Sequence, residues 1–273
     1  MEIQKPQQYT GIITKKLQLT KTVYHFVIQN ENPKELLFTP GQYATFLIDE
    51  KIRRLYSFCS APDLHQFELV VDVSPMGPGS LYFLNKKVGD TVEYLAPFGN
   101  FQLTDSPLKK IFIATGTGIA PFRSMLWNEM EILNSKSEIL NNVQNFNNQN
   151  IKNNLKSPSS VLRPPSISLY WGLRYEDDVY WDEELRALSG QYTGFQYFLV
   201  LSKPGEKWQG LRGHVTDYVF EIPAFAKASA GKEKDLQYCE FYLCGNSAMI
   251  SEMKQRLSDI NVPEERVKID IFY

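Results

Sequence analysis

Lys110-Ile-Phe-Ile-Ala-Thr-Gly-Thr-Gly-Ile-Ala-Pro121 is the stretch on which the fold turns. A short apolar run, Lys110 to Ala114, ends in a glycine turn. From Ala120 to about Leu133 apolar residues recur at helical spacing. Strand, tight turn and helix in that order form one unit of a parallel sheet. The same alternation continues downstream. Ile167–Leu173, Phe195–Leu201, Glu240–Leu243 and Val267–Tyr273 read as strands, with helices over Asp182–Leu188 and Ser247–Leu257. A doubly wound, parallel α/β sheet is therefore expected over 106–273. Upstream the period changes. Tyr43–Ile48, Gln66–Val73 and Thr91–Leu95 are short strands between turn signals such as Thr39-Pro-Gly41, Val88-Gly-Asp90 and Pro97-Phe-Gly99. That spacing predicts an antiparallel β-barrel or sandwich over 1–105, interrupted by one helix from Ser80 to about Lys87. The boundary is placed near Thr104–Leu108. Two stretches fit neither half. Asn134 to Pro165, rich in Asn and Ser, reads as a disordered surface insertion, and Ala224 to Lys234 as a second insertion.

Composition narrows the chemistry. At 273 residues two cores are affordable. A net charge of −2 gives no basic face for nucleic acid. Cys59, Cys239 and Cys244 cannot ligate a four-cysteine cluster, and an odd count fits a reducing cytoplasm. No apolar run of membrane-spanning length occurs. His25, His65 and His214 are scattered without metal spacing and read as structural or surface residues, so no metal site is expected.

Arg54-Leu-Tyr-Ser-Phe-Cys-Ser60 carries chemistry. Side chains alternate along a strand, so Arg54 and Tyr56 share a face. A flavin needs a cation near its phosphate, a flat ring against the isoalloxazine and a donor near N5 and O4, and this run supplies all three. Alone it also fits a surface strand with a stray arginine. Its neighbours are Pro40-Gly-Gln42 before it, Met76-Gly-Pro-Gly-Ser80 opening a helix, and Pro97-Phe-Gly-Asn-Phe101. Glycines at a helix N-terminus let amides approach a phosphate. Thr115-Gly-Thr-Gly118 suits a pyrophosphate for the same reason, with Pro121 fitting the first helical turn. It is not the Gly-x-Gly-x-x-Gly dinucleotide fingerprint, and any α/β connection can carry a Gly-x-Gly turn. Cys244-Gly245, with Met249 beyond it, follows a strand at the end where open α/β sheets bind ligands.

Taken together, these motifs resemble the ferredoxin–NADP reductase superfamily. The resemblance implies that Arg54 binds the flavin pyrophosphate, Tyr56 packs on the ring, Ser57 sits near N5 and Ser60 completes the motif. Gly77, Gly79 and Ser80 would hold phosphate oxygens, and FAD is expected over FMN. Thr115, Gly116, Thr117, Gly118 and Pro121 would hold the nicotinamide nucleotide, with Cys244, Gly245 and Met249 beside its ring. Cys244 is expected to position that ring, not to act as a nucleophile. Ser202-Lys203, with Arg174, resembles the pair that reads the 2′-phosphate of NADP, which favours NADPH, although lysine is a weaker phosphate fork than arginine. Tyr273 or Phe272 either covers the isoalloxazine or ends a last strand with buried aromatics. The implied activity is transfer of hydride from NAD(P)H to FAD and of electrons to a carrier such as ferredoxin or flavodoxin, by a cytoplasmic monomer. An oxygenase reductase component, a free-flavin reductase and a non-catalytic member of a redox complex are the alternatives.

Overall fold

A computed structural model describes residues 5–147, 166–221 and 236–271. Its first half is a six-stranded antiparallel sheet. Strands β1 (Gln7–Gln18), β2 (Val23–Asn32), β3 (Tyr43–Leu47), β4 (Arg53–Ser57), β5 (Gln66–Asp72) and β6 (Thr91–Phe98) lie in the order β4-β3-β6-β1-β2-β5. The sheet curls until its edge strands β4 and β5 touch. Helix α1 (Pro78–Asn85) follows β5. Alternation along the strands sends one face inward, where Phe46, Phe83 and Tyr94 interlock at centroid distances of 5.1 and 5.3 Å. Aromatic residues thus form much of this core.

The second half is a six-stranded parallel sheet. Strands β7 (Lys109–Thr115), β8 (Ile167–Leu173), β9 (Phe195–Leu201), β10 (Leu211–Arg212), β11 (Cys239–Gly245) and β12 (Val267–Ile271) lie in the order β10-β9-β8-β7-β11-β12. β7 and β11 are buried almost end to end, as strands covered on both faces must be. Helices α2 (Ala120–Asn147) and α3 (Asp182–Gln191) cover one face. Helices α4 (Val215–Glu221) and α5 (Ser247–Asp259) cover the other. The winding reverses between β7 and β11, which is where a ligand crevice forms in such sheets.

One expectation is corrected. Composition places the start of the disordered insertion at Asn134, but α2 continues to Asn147. Asparagine is a poor helix former, yet extending an existing helix fixes one residue per hydrogen bond, whereas starting one fixes several. The remainder of that insertion, and the one from Ala224 to Lys234, lie outside the described residues.

Candidate functional site

On the barrel, β4 is an edge strand and pairs only with β3. Arg54 and Tyr56 share its half-buried side. Helix α1 is laid directly on them. A Cβ at Gly79 would stand 2.5 Å from the Tyr56 hydroxyl and 2.9 Å from Arg54 Cγ, so only glycine permits this approach. The N-cap of α1 is Gly77, without a side-chain cap, and Pro78 leads the first turn. A Cβ at Gly77 would meet nothing within 4 Å. The Arg54 guanidinium donates to the Arg53 carbonyl at 2.7 Å and pairs with no carboxylate among the described residues. An unpaired cation beside an uncapped helix N-terminus that faces open space fits a diphosphate. Phe46 and Phe83 brace the Tyr56 ring edge-on at 5.7 and 4.9 Å. Burial pushes its phenol up to about 12 against the pull of Arg54, so it remains neutral. These residues fit FAD.

The two outer serines are used differently. Ser80 is buried and its hydroxyl donates to the Asp72 carbonyl at 3.5 Å, leaving its backbone amide as its route to a phosphate. Ser60 accepts from the Glu68 amide at 3.2 Å and lines a separate groove against α2, away from Arg54 and Tyr56.

In the second half the glycine loop is a 3-10 turn, Gly116–Ile119, that leads straight into α2. Gly118 is there because a side chain would strike the Cys244 carbonyl. Gly245 (φ +149°) is there because one would strike Thr115. The two loops therefore lie backbone to backbone at the switch point. The Thr115 hydroxyl ties them, accepting from the Asn246 amide at 2.9 Å and from Asn246 Nδ2 at 3.0 Å. The Gly116 carbonyl accepts from Trp171 Nε1 at 2.9 Å and from the Tyr180 hydroxyl at 3.4 Å. These loops open on a cavity of about 850 Å³, lined by Thr115 to Gly118, Gly245, Met249, Arg174 and Ser202, and from the barrel by Thr22 and Asp72. Pro121 and Lys203 do not line it. Lys203 is exposed, and its amide donates to the Arg174 carbonyl at 2.8 Å, so both cations stand at neighbouring strand ends on the rim.

One of the contacts between the halves is made by a carboxylate. Asp270 on β12 pairs in register with Cys244 on β11. Its Oδ2 accepts from the Ser57 hydroxyl of the barrel at 3.2 Å and lies 3.9 Å from Cys244 Sγ. Burial raises the Asp270 carboxyl above its ordinary value, although bonds from Ser57 and Cys244 pull it down. Burial, with the Asp270 charge, raises the Cys244 thiol well above the usual range, so it stays a thiol. A thiol held protonated in this way is a poor nucleophile.

Ser57 and Cys244, more than 180 residues apart, are thus brought together by an acid that the motifs do not include. The available signal was a lone Asp in the apolar run Val267-Lys-Ile-Asp-Ile271. Thr216 was also missed. It is buried, lines the cavity, and its hydroxyl has no partner among the described residues. The sequence alone gives no sign of it. Tyr273 and Phe272 lie outside the described residues.

Comparison with known proteins agrees with this geometry. Residues 10–103 match the model of the oxidoreductase FAD-binding domain, and residues 112–255 match the oxidoreductase NAD-binding domain. The chain is 27% identical over 261 residues to ferredoxin–NADP reductase B of Sorangium cellulosum, covering 92% of each. It is 26% identical over 237 residues to one component of the Na(+)-translocating NADH-quinone reductase of a Marinomonas species, covering 82% of this chain and 50% of the relative. It thus spans about half the length of that relative. The structure of a Neisseria gonorrhoeae ferredoxin–NADP+ reductase with bound FAD and NADP superposes with a TM-score of 0.69 at 19% identity. That match covers 98% of this chain and 99% of the other.

Proposed function

The chain belongs to the ferredoxin–NADP reductase superfamily, and on that premise we propose that it oxidises NADPH and passes the electrons, through FAD, to a one-electron carrier of the ferredoxin or flavodoxin type. FAD, when bound, supplies hydride acceptance and onward release of electrons. The protein supplies placement. Arg54 and the first turn of α1 would hold the diphosphate, and Tyr56 would back the ring. The Thr115–Gly118 loop and Gly245 would seat the nicotinamide nucleotide at the switch point. Asp270 orients the Ser57 hydroxyl by accepting its hydrogen bond and faces the Cys244 thiol, so that the two cofactor beds would share one edge. Gly245, which lines the cavity, would let a flat ring approach, while Cys244 beside it in the chain is fully buried.

The observation that carries this reading is the contact of Ser57 with Asp270 at 3.2 Å, which joins the predicted flavin strip to the predicted nicotinamide floor. Arg174 and Lys203 at the rim support NADPH, because two cations suit a 2′-phosphate. The site assignments and the division into residues 1–105 and 106–273 belong to the same proposal, as do a monomeric state and a cytoplasmic setting. Three buried free cysteines favour that setting. Among the described residues no helix is long and apolar enough to cross a membrane.

The similarity to the quinone-reductase relatives favours a second reading, in which this chain is an NADH-oxidising module that serves a larger redox assembly. Anaerobic stopped-flow reduction of the FAD-loaded protein decides between them. Faster bleaching by NADPH than by NADH supports the first, and the reverse order supports the second. A protein that neither retains nor takes up flavin ends both.

A further inference from the structure

Arg123 stands two residues beyond Pro121, in the first turn of α2, yet it does not line the nucleotide cavity. It is 8% exposed and lies across the cleft between the two halves. One terminal nitrogen donates to the Cys59 carbonyl at 2.7 Å and to Glu68 Oε2 at 2.8 Å, both on the barrel. Its Nε donates to Glu184 Oε1 at 2.9 Å, on α3 of its own half. Its guanidinium lies over the rings of Trp127 and Trp181, 4.7 and 4.5 Å from their centroids. His25 of the barrel bonds to the same Glu68 oxygen at 3.1 Å, and its ring meets Trp181 edge-on.

Each part of this arrangement is demanding. A buried guanidinium is tolerated only when its charge and its donors are met, and losing one partner leaves a desolvated charge behind. Here the partners come from both halves, so the full set of acceptors is met only while the halves are together. Trp181 is held in the left-handed region (φ +57°), where a bulky residue is rarely found. Its neighbour Tyr180 bonds the Gly116 carbonyl of the nucleotide loop and touches the Trp181 ring at 5.1 Å. Ligating atoms of His25, Cys59 and Glu68 lie within 4.8 Å of one another, as they would around a metal ion. The cation that faces them is Arg123.

We propose that Arg123 is a positioning residue for hydride transfer, a buried clasp that sets the barrel against the nucleotide sheet and so keeps Ser57 in register with Asp270. The proposal rests on the reductase reading for its kinetic consequence but not for its structural one. It makes Glu68 and Glu184 unequal. Glu184 holds Arg123 within one half. Glu68 holds it across the interface, so only the loss of Glu68 should loosen the alignment.

The test uses the FAD-loaded full chain with Glu68→Gln, Glu184→Gln, Arg123→Gln and Arg123→Lys. Glu68→Gln is expected to lower the limiting rate of flavin reduction about tenfold or more, since small misplacements of reacting groups are costly. Nucleotide dissociation constant and flavin content should stay within about twofold, because neither bed is touched. Glu184→Gln should lose clearly less rate, and Arg123→Lys should recover part of what Arg123→Gln loses. Small-angle scattering and tryptophan emission supply a readout independent of turnover. Glu68→Gln should increase the radius of gyration and alter the emission of the indoles stacked on Arg123. A folded Glu68→Gln protein with unchanged scattering and emission overturns the clasp, whatever its rate. Equal rate losses in Glu68→Gln and Glu184→Gln overturn it too. If Arg123→Gln does not fold, the two glutamate variants decide alone. A parent protein that takes up no flavin defeats the reductase reading, while scattering and emission still judge the clasp.

Discussion

A half-buried carboxylate whose only donors among the described residues are a hydroxyl and a thiol is a costly charge, and Asp270 is one. Its folded pKa is raised above the ordinary 3.8 by burial, so stability falls as pH rises from that region through the folded value. Asp270→Asn imitates the protonated form and removes that decline. The variant should melt higher than the parent at neutral pH. It should also reduce its flavin about tenfold more slowly with nucleotide affinity kept, because Ser57 loses a charged acceptor. Calorimetry and stopped-flow together check this, and a variant that is neither more stable nor slower denies Asp270 its part. Glu68 has the opposite sign. Burial alone would raise its carboxyl, but the bond from His25 and the charge of Arg123 outweigh that and hold it down from 4.5 to about 2. Such a shift corresponds to about 3 kcal/mol at about 1.4 kcal/mol per unit. That contribution is present above pH 4.5 and lost as pH falls through about 2. Glu68→Gln should therefore be less stable than the parent at pH 7, and the gap in urea midpoints should close across that window.

At the scale of elements, what was legible was what is local. β8 and β9 were read to the residue because each is a largely apolar run bounded by polar turns. The glycine turn after β7 was legible for a related reason, since a close approach of two backbones leaves glycine as its trace. The continuation of α2 past Leu133 was not, because composition speaks of starting a helix and says little about prolonging one. Ser60 was read with the flavin strip from its spacing, yet β4 ends at Ser57 and the chain has turned toward α2 by residue 60. Asp270, Glu68 and Glu184 were missed because each acts on a residue 55 to 213 positions away. Two predictions belong to elements. Replacing Arg54 by Ala removes the cation from the mouth of α1 and should weaken flavin binding about tenfold or more, as loss of a charge-assisted contact does. Fluorescence titration of the flavin measures it, and unchanged affinity removes Arg54 from the site. Replacing Lys203 by Ala at the end of β9 should narrow any preference for NADPH over NADH several-fold, about the worth of one exposed charge contact. An unaltered ratio leaves Arg174, at the neighbouring strand end, as the phosphate reader.

At the scale of the molecule, chemistry at one edge requires that two bodies hold one orientation, and the connecting segment is built for that. Lys110, at the start of β7, is 1% exposed and forms an ion pair with Glu240 on β11. Its ammonium also donates to Ser106 Oγ at 2.7 Å and to Thr104 Oγ1 at 3.1 Å. The Thr104 amide donates to the Tyr242 hydroxyl at 3.1 Å. The segment that leaves the barrel is thereby nailed to the floor of the parallel sheet, at the end opposite the nucleotide cavity. A buried pair of this kind is poor evidence for stability, since two apolar residues often replace it at no cost, whereas breaking one partner leaves a charge stranded. That contrast separates anchoring from stability. Lys110→Met alone should destabilise the protein by about 3–5 kcal/mol. Lys110→Met with Glu240→Leu should recover most of that stability, yet leave Ser106 without its anchor and Thr104 held by Tyr242 alone. The double variant should then melt near the parent, be cut by protease between residues 104 and 108, and reduce flavin more slowly at saturating nucleotide. If it is as stable, as resistant to cleavage and as fast as the parent, the orientation of the two halves is set without the linker, and the Arg123 side of the cleft must carry it alone.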